Sequence, residues 1–235
     1  MNYLKSQALG VLFASVFPLV VSGASGTWTP VVADRRVTEV RIDSNGDETV
    51  LRSHGGEFLR SADGKQLTTE GRSQPDGSFD LTRATLMDFQ QGSRVELLYG
   101  NKQIIERDGA QRQQARLTNE IKTRAEVKAI RKESVNGVFC YGFPMAKGGS
   151  AASDSAVTGI GWRSLEYDLP VKTVVEITSN GHTVRIVNEL YNIRVGQEPD
   201  PARFEVPADF RAISLPEGLG VQTGRMGNRS DRTDR

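Results

Sequence analysis

Residues 171–191 read VKTVVEITSNGHTVRIVNELY. Two runs rich in β-branched residues, 171–178 and 183–191, flank Asn180-Gly181, a dipeptide that readily takes the positive φ angles of a type I′ hairpin turn. Folding about a two-residue turn sets Thr178 opposite Thr183, Glu176 opposite Arg185, Val174 opposite Val187 and Lys172 opposite Glu189. Two of these four pairs are opposite charges, each worth roughly 0.2–1 kcal/mol. On the other face Ile177 meets Val184, Val175 meets Ile186 and Val171 meets Leu190. One side is therefore apolar and the other largely polar, and a one-residue slip would break both sets at once.

Downstream lies Pro199-Asp200-Pro201, with Phe204, Val206, Pro207 and Phe210 close behind. Asp200 can accept a hydrogen bond from an early helical N–H and Pro201 suits the first helical position, so a single helical turn through Phe204 is expected. Its role is to aim Phe204 inward. This hairpin followed by Pro-Asp-Pro-x-x-Phe-x-Val-Pro-x-x-Phe resembles the C-terminal end of uncharacterised secreted bacterial proteins. Gly56-Glu57-Phe58-Leu59-Arg60-Ser61-x-Asp63-Gly64 and Val135-Asn136-Gly137-Val138, shortly before Cys140, fit the same group. That group in turn resembles the periplasmic lipoprotein-carrier (outer-membrane lipoprotein-sorting) half-barrels. The resemblance implies a curved antiparallel sheet that cradles acyl chains.

At the start of the chain, Lys5 precedes an apolar run over 8–21, followed by Ser22-Gly23-Ala24. This pattern predicts a secretory signal peptide over 1–24. The run is shorter than the ~20 apolar residues of a membrane span, and Pro18 interrupts it. No cysteine directly follows the run, so lipid attachment at a mature N-terminal cysteine is not expected. The expected compartment is periplasmic or extracellular, with no membrane span in the mature protein. Residues 27–215 are expected to form one antiparallel β domain, and the glycine- and arginine-rich stretch 216–235 a disordered tail.

Charge narrows the function classes. Thirty Lys and Arg oppose 29 Asp and Glu, giving a net charge of +1, and the two signs are interspersed. No basic stripe marks a nucleic-acid partner. The single cysteine excludes an intramolecular disulfide framework.

Between 35 and 107 the sequence reads as short strands separated by tight turns, and hence as an antiparallel meander. Strands over 37–43 and 48–53 flank Asn45-Gly46; a two-residue register there sets Ile42 against Thr49, Val40 against Leu51, Glu39 against Arg52 and Asp43 against Glu48. Further strands are expected at 57–61, 66–70, 81–89, 95–99 and 103–107, with turns at Asp63-Gly64, Pro75-Asp76-Gly77, Gln91-Gly92 and Gly100-Asn101. Residues 111–125, with Leu117, Ile121 and Ala125 at four-residue intervals, read either as a helix with a thin apolar stripe or as a charged excursion. Strands are expected at 137–145 and 160–167, joined by a Gly/Ser/Ala loop over 146–159.

Catalytic and metal-binding constellations are absent from the sequence. Cys140 sits between Phe139 and Tyr141, and the chain's two histidines, His54 and His182, carry no spacing that would build a thiol site or a metal site around them. Asp43, Asn45, Asp47 and Glu48 imitate a calcium loop but lack its later glutamate. No phosphate loop or serine elbow is present. No enzyme activity and no cofactor are therefore expected.

Apolar binding remains. Phe58, Leu59, Phe79, Leu86, Phe89, Leu97, Tyr99, Phe139, Phe143, Trp162, Val175 and Ile186 either line one concave face of a curled sheet or form its core. An open face would hold a lipid, an acyl-bearing protein or another apolar ligand. A closed one would leave an envelope protein-interaction or structural module, with a hydrolase a distant third reading.

Overall fold

The computed structural model describes residues 27–74, 79–107, 128–145, 156–179 and 182–213. The expected signal peptide, the 111–125 segment, residues 146–155 of the expected 146–159 loop, the tail from 216 and the turns at Pro75-Asp76-Gly77 and Asn180-Gly181 lie outside them; residues 156–159, expected in that loop, begin a strand instead.

Among the described residues twelve strands form one open sheet: β1 (Val31–Ile42), β2 (Glu48–Arg60), β3 (Lys65–Ser73), β4 (Phe79–Asp88), β5 (Ser93–Leu98), β6 (Gln103–Arg107), β7 (Arg131–Val135), β8 (Val138–Pro144), β9 (Ala156–Ser164), β10 (Leu169–Ser179), β11 (His182–Val195) and β12 (Arg211–Ala212). Their order is β12-β6-β5-β4-β3-β2-β1-β11-β10-β9-β8-β7. The chain thus builds two antiparallel meanders, β1 to β6 and β7 to β11, and joins them through the long β1–β11 pairing. All pairs are antiparallel except the short edge pair β12–β6, which is parallel.

The β10–β11 register is the one its sequence specifies. Lys172 opposes Glu189, Val174 opposes Val187, Glu176 opposes Arg185 and Thr178 opposes Thr183, while Val175 meets Ile186 and Ile177 meets Val184. Arg185 Nε lies 2.8 Å from Glu176, and the Thr178 and Thr183 hydroxyls are 2.9 Å apart.

The first hairpin departs from its simple reading. Glu39 does oppose Arg52, 2.6 Å apart as an ion pair, but Ile42 opposes Glu48 and Val40 opposes Val50. The tip is longer than two residues because the Asp43 carboxylate accepts from the N–H groups of Asn45 and Asp47 at 2.9 and 3.0 Å, with Gly46 at φ +87°. A register shift between Glu39 and Val40 leaves Leu51 as the extra residue and restores the Glu39–Arg52 pairing. Asp43 and Glu48 therefore never face each other, and Glu48 instead meets Arg185 at 2.5 Å.

The two strands expected at 48–53 and 57–61 are one continuous strand. Gly55 and Gly56 do not end it, because the neighbouring chain needs the space of their missing side chains: a Cβ on Gly56 would overlap the Thr69 carbonyl.

Two main apolar clusters result. One joins Val31, Ala33, Phe58, Val138, Cys140, Trp162, Leu169, Val171 and Leu190 from six strands. The other joins Leu59, Leu67, Ala84, Leu86 and Leu97 on one face of the N-terminal meander. Asn136, in the β7–β8 turn, donates to the Leu190 carbonyl of β11 at 2.6 Å. β8 and β11 are three places apart in the sheet, about 14 Å if it were flat, so the C-terminal meander curls strongly.

After β11 the chain runs back across the N-terminal meander to pair β12 with β6. Asp200 caps a 3-10 turn, Pro201–Phe204, by accepting from Ala202 N at 3.0 Å. Phe204 and Phe210 pack on the Leu59–Leu97 cluster, Phe210 edge-on to Tyr99 with ring centroids 5.1 Å apart. Salt bridges from Arg203 to Glu57 and from Lys102 to Asp209 tie the strap down.

Candidate functional site

The expected apolar face is divided by the fold. Leu59, Leu86, Leu97 and Tyr99 lie under the C-terminal strap, against Phe204 and Phe210. Phe58 and Trp162 belong to the other cluster, where Trp162 Nε1 donates to Glu133 at 2.6 Å. Val175 and Ile186 are a buried cross-strand pair between β10 and β11. Phe143 packs with Tyr141 on Leu165. Phe139 is 52% exposed and stands edge-on to Tyr141. Phe89 stacks on Trp28, ring centroids 5.0 Å apart, and Phe79 is 46% exposed beside Gly55 and Gly71. These residues do not share one continuous surface.

Cys140 is fully buried, and burial pushes its thiol up to about 12. Such a thiol is protonated at neutral pH and a poor nucleophile. An open depression of about 700 Å³ is bordered by Asp34, Asn136, Gly137, Tyr191, Asn192, Ile193 and Arg194. Asn192 Nδ2 donates to Asp34 at 2.7 Å at its edge.

The least expected feature is on the face of the N-terminal meander opposite the strap. Strand alternation turns Leu59, Leu67, Ala84, Leu86, Val95 and Leu97 to the covered side, and with them must turn Arg83, Thr85, Arg94 and Glu96 to the other. Glu96 is only 2% exposed, and Arg83 and Arg94 each reach it at 2.6 Å. The Nε atoms of both arginines are buried with no hydrogen-bond partner among the described residues.

Arg35 of β1 extends the row. It stands opposite Gly56, whose lack of a side chain lets it reach across β2 to the Thr69 carbonyl at 3.5 Å and the Glu70 carboxylate at 3.9 Å. Its Nε donates to Asn188 of β11 at 3.0 Å, and His54 lies 3.7 Å from Glu70. Burial lowers the Arg35 guanidinium below its ordinary range; Glu70 opposes that shift and the positive charge of Arg83 adds to it. The sequence does carry these residues at alternate positions of strands, but each reads locally as a solvated polar face. Only the neighbouring of β1, β2, β3, β4 and β5 gathers them.

Among the described residues no group of three or more His, Cys, Asp and Glu is placed to hold a metal ion. No helix of the described residues is long and apolar enough to cross a membrane.

No family model matches the chain, and no curated protein does. Several solved structures are similar. PNGF-II aligns over 77% of this chain and 31% of its own length at 10% identity, with a TM-score of 0.39. The MucA/MucB complex of Pseudomonas aeruginosa aligns over 78% and 59% at 11% identity and 0.30. A putative outer membrane lipoprotein-sorting protein domain from Vibrio parahaemolyticus aligns over 75% and 89% at 10% identity and 0.30. The chain spans about a third of PNGF-II and under two thirds of the MucB structure. The likeness is a distant one of fold.

Proposed function

We propose that this chain is a non-enzymatic protein of the bacterial envelope that acts by surface contact with a partner protein and holds no apolar ligand in a cavity. The observation that supports this reading is the filling of both apolar clusters by the chain's own side chains, one by the curl of β8 onto β11 and the other by Phe204 and Phe210 of the strap. An acyl chain would need to displace one of them.

The carrier reading keeps one specific support. The strap's two rings are only half-buried and its ion pairs are exposed, so lifting it would open the Leu59–Leu97 cluster to an acyl chain. Native mass spectrometry of the whole chain, with a titration of the fluorescent fatty acid cis-parinaric acid, separates the two. The interaction reading expects the bare mass and no saturable fluorescence. A stoichiometric acyl adduct, or saturable binding weakened by change of Phe204, would overturn it in favour of the carrier.

A further inference from the structure

We propose that the depression between the end of β11 and the β7–β8 turn is where the chain takes its partner, as an extended peptide segment paired through its main chain along residues 191–195. This rests on the reading of the chain as a partner-binding protein and gives that partner a place and a mode of contact.

β11 outruns one of its two neighbours. On one side β1 accompanies it as far as Val195, but on the other the ladder to β10 stops at the Lys172–Glu189 pair. Continuing that ladder would set Pro170 opposite Tyr191, and proline has no N–H to give it. A register shift between Pro170 and Lys172 bends this end of β10 along β9. The Leu190 carbonyl is taken by the Asn136 side chain at 2.6 Å. Beyond it, from 191 to 195, no described strand pairs with β11 on the side away from β1.

The space beside this edge is open. It is the depression of about 700 Å³ bordered by Tyr191, Asn192, Ile193 and Arg194 on one side and by Asn136 and Gly137 on the other. Asn136, Gly137, Asn192, Arg194 and Gly196 are exposed, and a Cβ placed on Gly137 or Gly196 would meet nothing within 4 Å. An open strand edge is a template for another strand, and natural proteins blunt such edges with lysine and proline. Residues 191–195 contain neither. The bulge opposite Ala33 holds Asn192 at φ +50° and ties its side-chain amide to Asp34 of β1 at 2.7 Å, so that side chain is satisfied within the sheet and the main chain is what the edge offers. Five residues span about 17 Å, which suits a short extended segment. A small molecule suits the place less well, because such ligands are enclosed by mostly apolar walls and this depression is open and largely polar.

The test uses the whole chain and the fluorescein-labelled peptide Ser-Thr-Val-Thr-Val-Ser, read by anisotropy, beside its fully N-methylated form, which has the same side chains and no main-chain N–H. The plain peptide is expected to bind saturably and the N-methylated one at least tenfold more weakly. Arg194→Trp, which fills the depression from an exposed position, is expected to weaken binding at least fivefold, whereas Lys102→Ala, at the far end of the sheet, is expected to change it less than twofold. Location is read without any substitution in the chain: a benzoylphenylalanine at the third position of the peptide is expected to cross-link, on irradiation, to residues 136–137 and 191–194. No saturable binding, equal binding of the N-methylated form, an unchanged Arg194→Trp, or cross-links confined to β6 or β7, the outer edges of the sheet, would each overturn the proposal. The fatty-acid titration reads the Leu59–Leu97 cluster instead, so a chain that takes neither probe loses this site without becoming a lipid carrier.

Discussion

Asn136 and Leu190, in a turn at one edge of the sheet and in an interior strand, are joined by a 2.6 Å hydrogen bond from the side-chain amide to the main-chain carbonyl. Asn136 holds φ at +50°, a conformation asparagine and glycine tolerate better than other residues. Asn136→Gly keeps that conformation and removes the bond, at an expected cost of about 1 kcal/mol. Asn136→Ala adds the strain of the left-handed backbone, about 1–2 kcal/mol more. Urea melts of the three proteins check the order, and equal midpoints for Asn136→Gly and the parent would show that the bond does not hold the curl.

Phe204 anchors the strap on the cluster that contains Leu59 and Leu97. Being half-buried, it should lose less than a fully enclosed ring, so Phe204→Ala is expected to cost about 2–3 kcal/mol, below or at the low end of the range for aromatic truncations. Lys102→Ala, which breaks only the exposed bridge to Asp209, should cost under about 1 kcal/mol. Thermal melts that rank the two in reverse would assign the strap's hold to its charges.

Cys140 should react slowly with a thiol reagent in the native protein and rapidly after denaturation, because the side chain is enclosed and its thiol is held up at about 12. Rapid labelling of the folded chain at pH 8 would contradict the burial. Cys140→Ser should destabilise by about 1–3 kcal/mol by placing a more strongly polar hydroxyl in a buried apolar cluster.

Acid sensitivity should pass through Glu189. Burial pushes its carboxyl up, but the hydrogen bond and charge of Arg36, with help from Lys172 and Asn136, outweigh that and hold it below its ordinary 4.5. A folded-state value below the unfolded one stabilises the fold fully above about pH 4.5, and that contribution is lost as pH falls through the lower folded value. Glu189→Gln should therefore flatten part of the stability loss below pH 4.5 while leaving the slope above it unchanged. Urea midpoints measured from pH 3 to 6 check this, and parallel acid limbs for the two proteins would remove Glu189 from the account.

What could be read from the sequence was local. The pairing of 172–179 with 182–189 follows from alternation about one turn, and the Asp200 cap from three adjacent residues, because in both cases the partners are close along the chain. At Asn45-Gly46 the same reasoning placed Glu39 with Arg52 but missed the tip, since the Asp43 carboxylate competes for the turn's N–H groups and the strand absorbs the difference as a bulge at Leu51. Period-two alternation says which side chains share a face of one strand. It does not say which strand lies alongside, so β1 beside β11 across 150 residues of chain, the strap over Leu86, Leu97 and Tyr99, and the gathering of Arg35, Glu70, Arg83 and Glu96 were decided by the tertiary structure alone. Those contacts join residues far apart in sequence. Burial gain weighed against loop closure over the whole chain selects them, and no short stretch of residues encodes that balance.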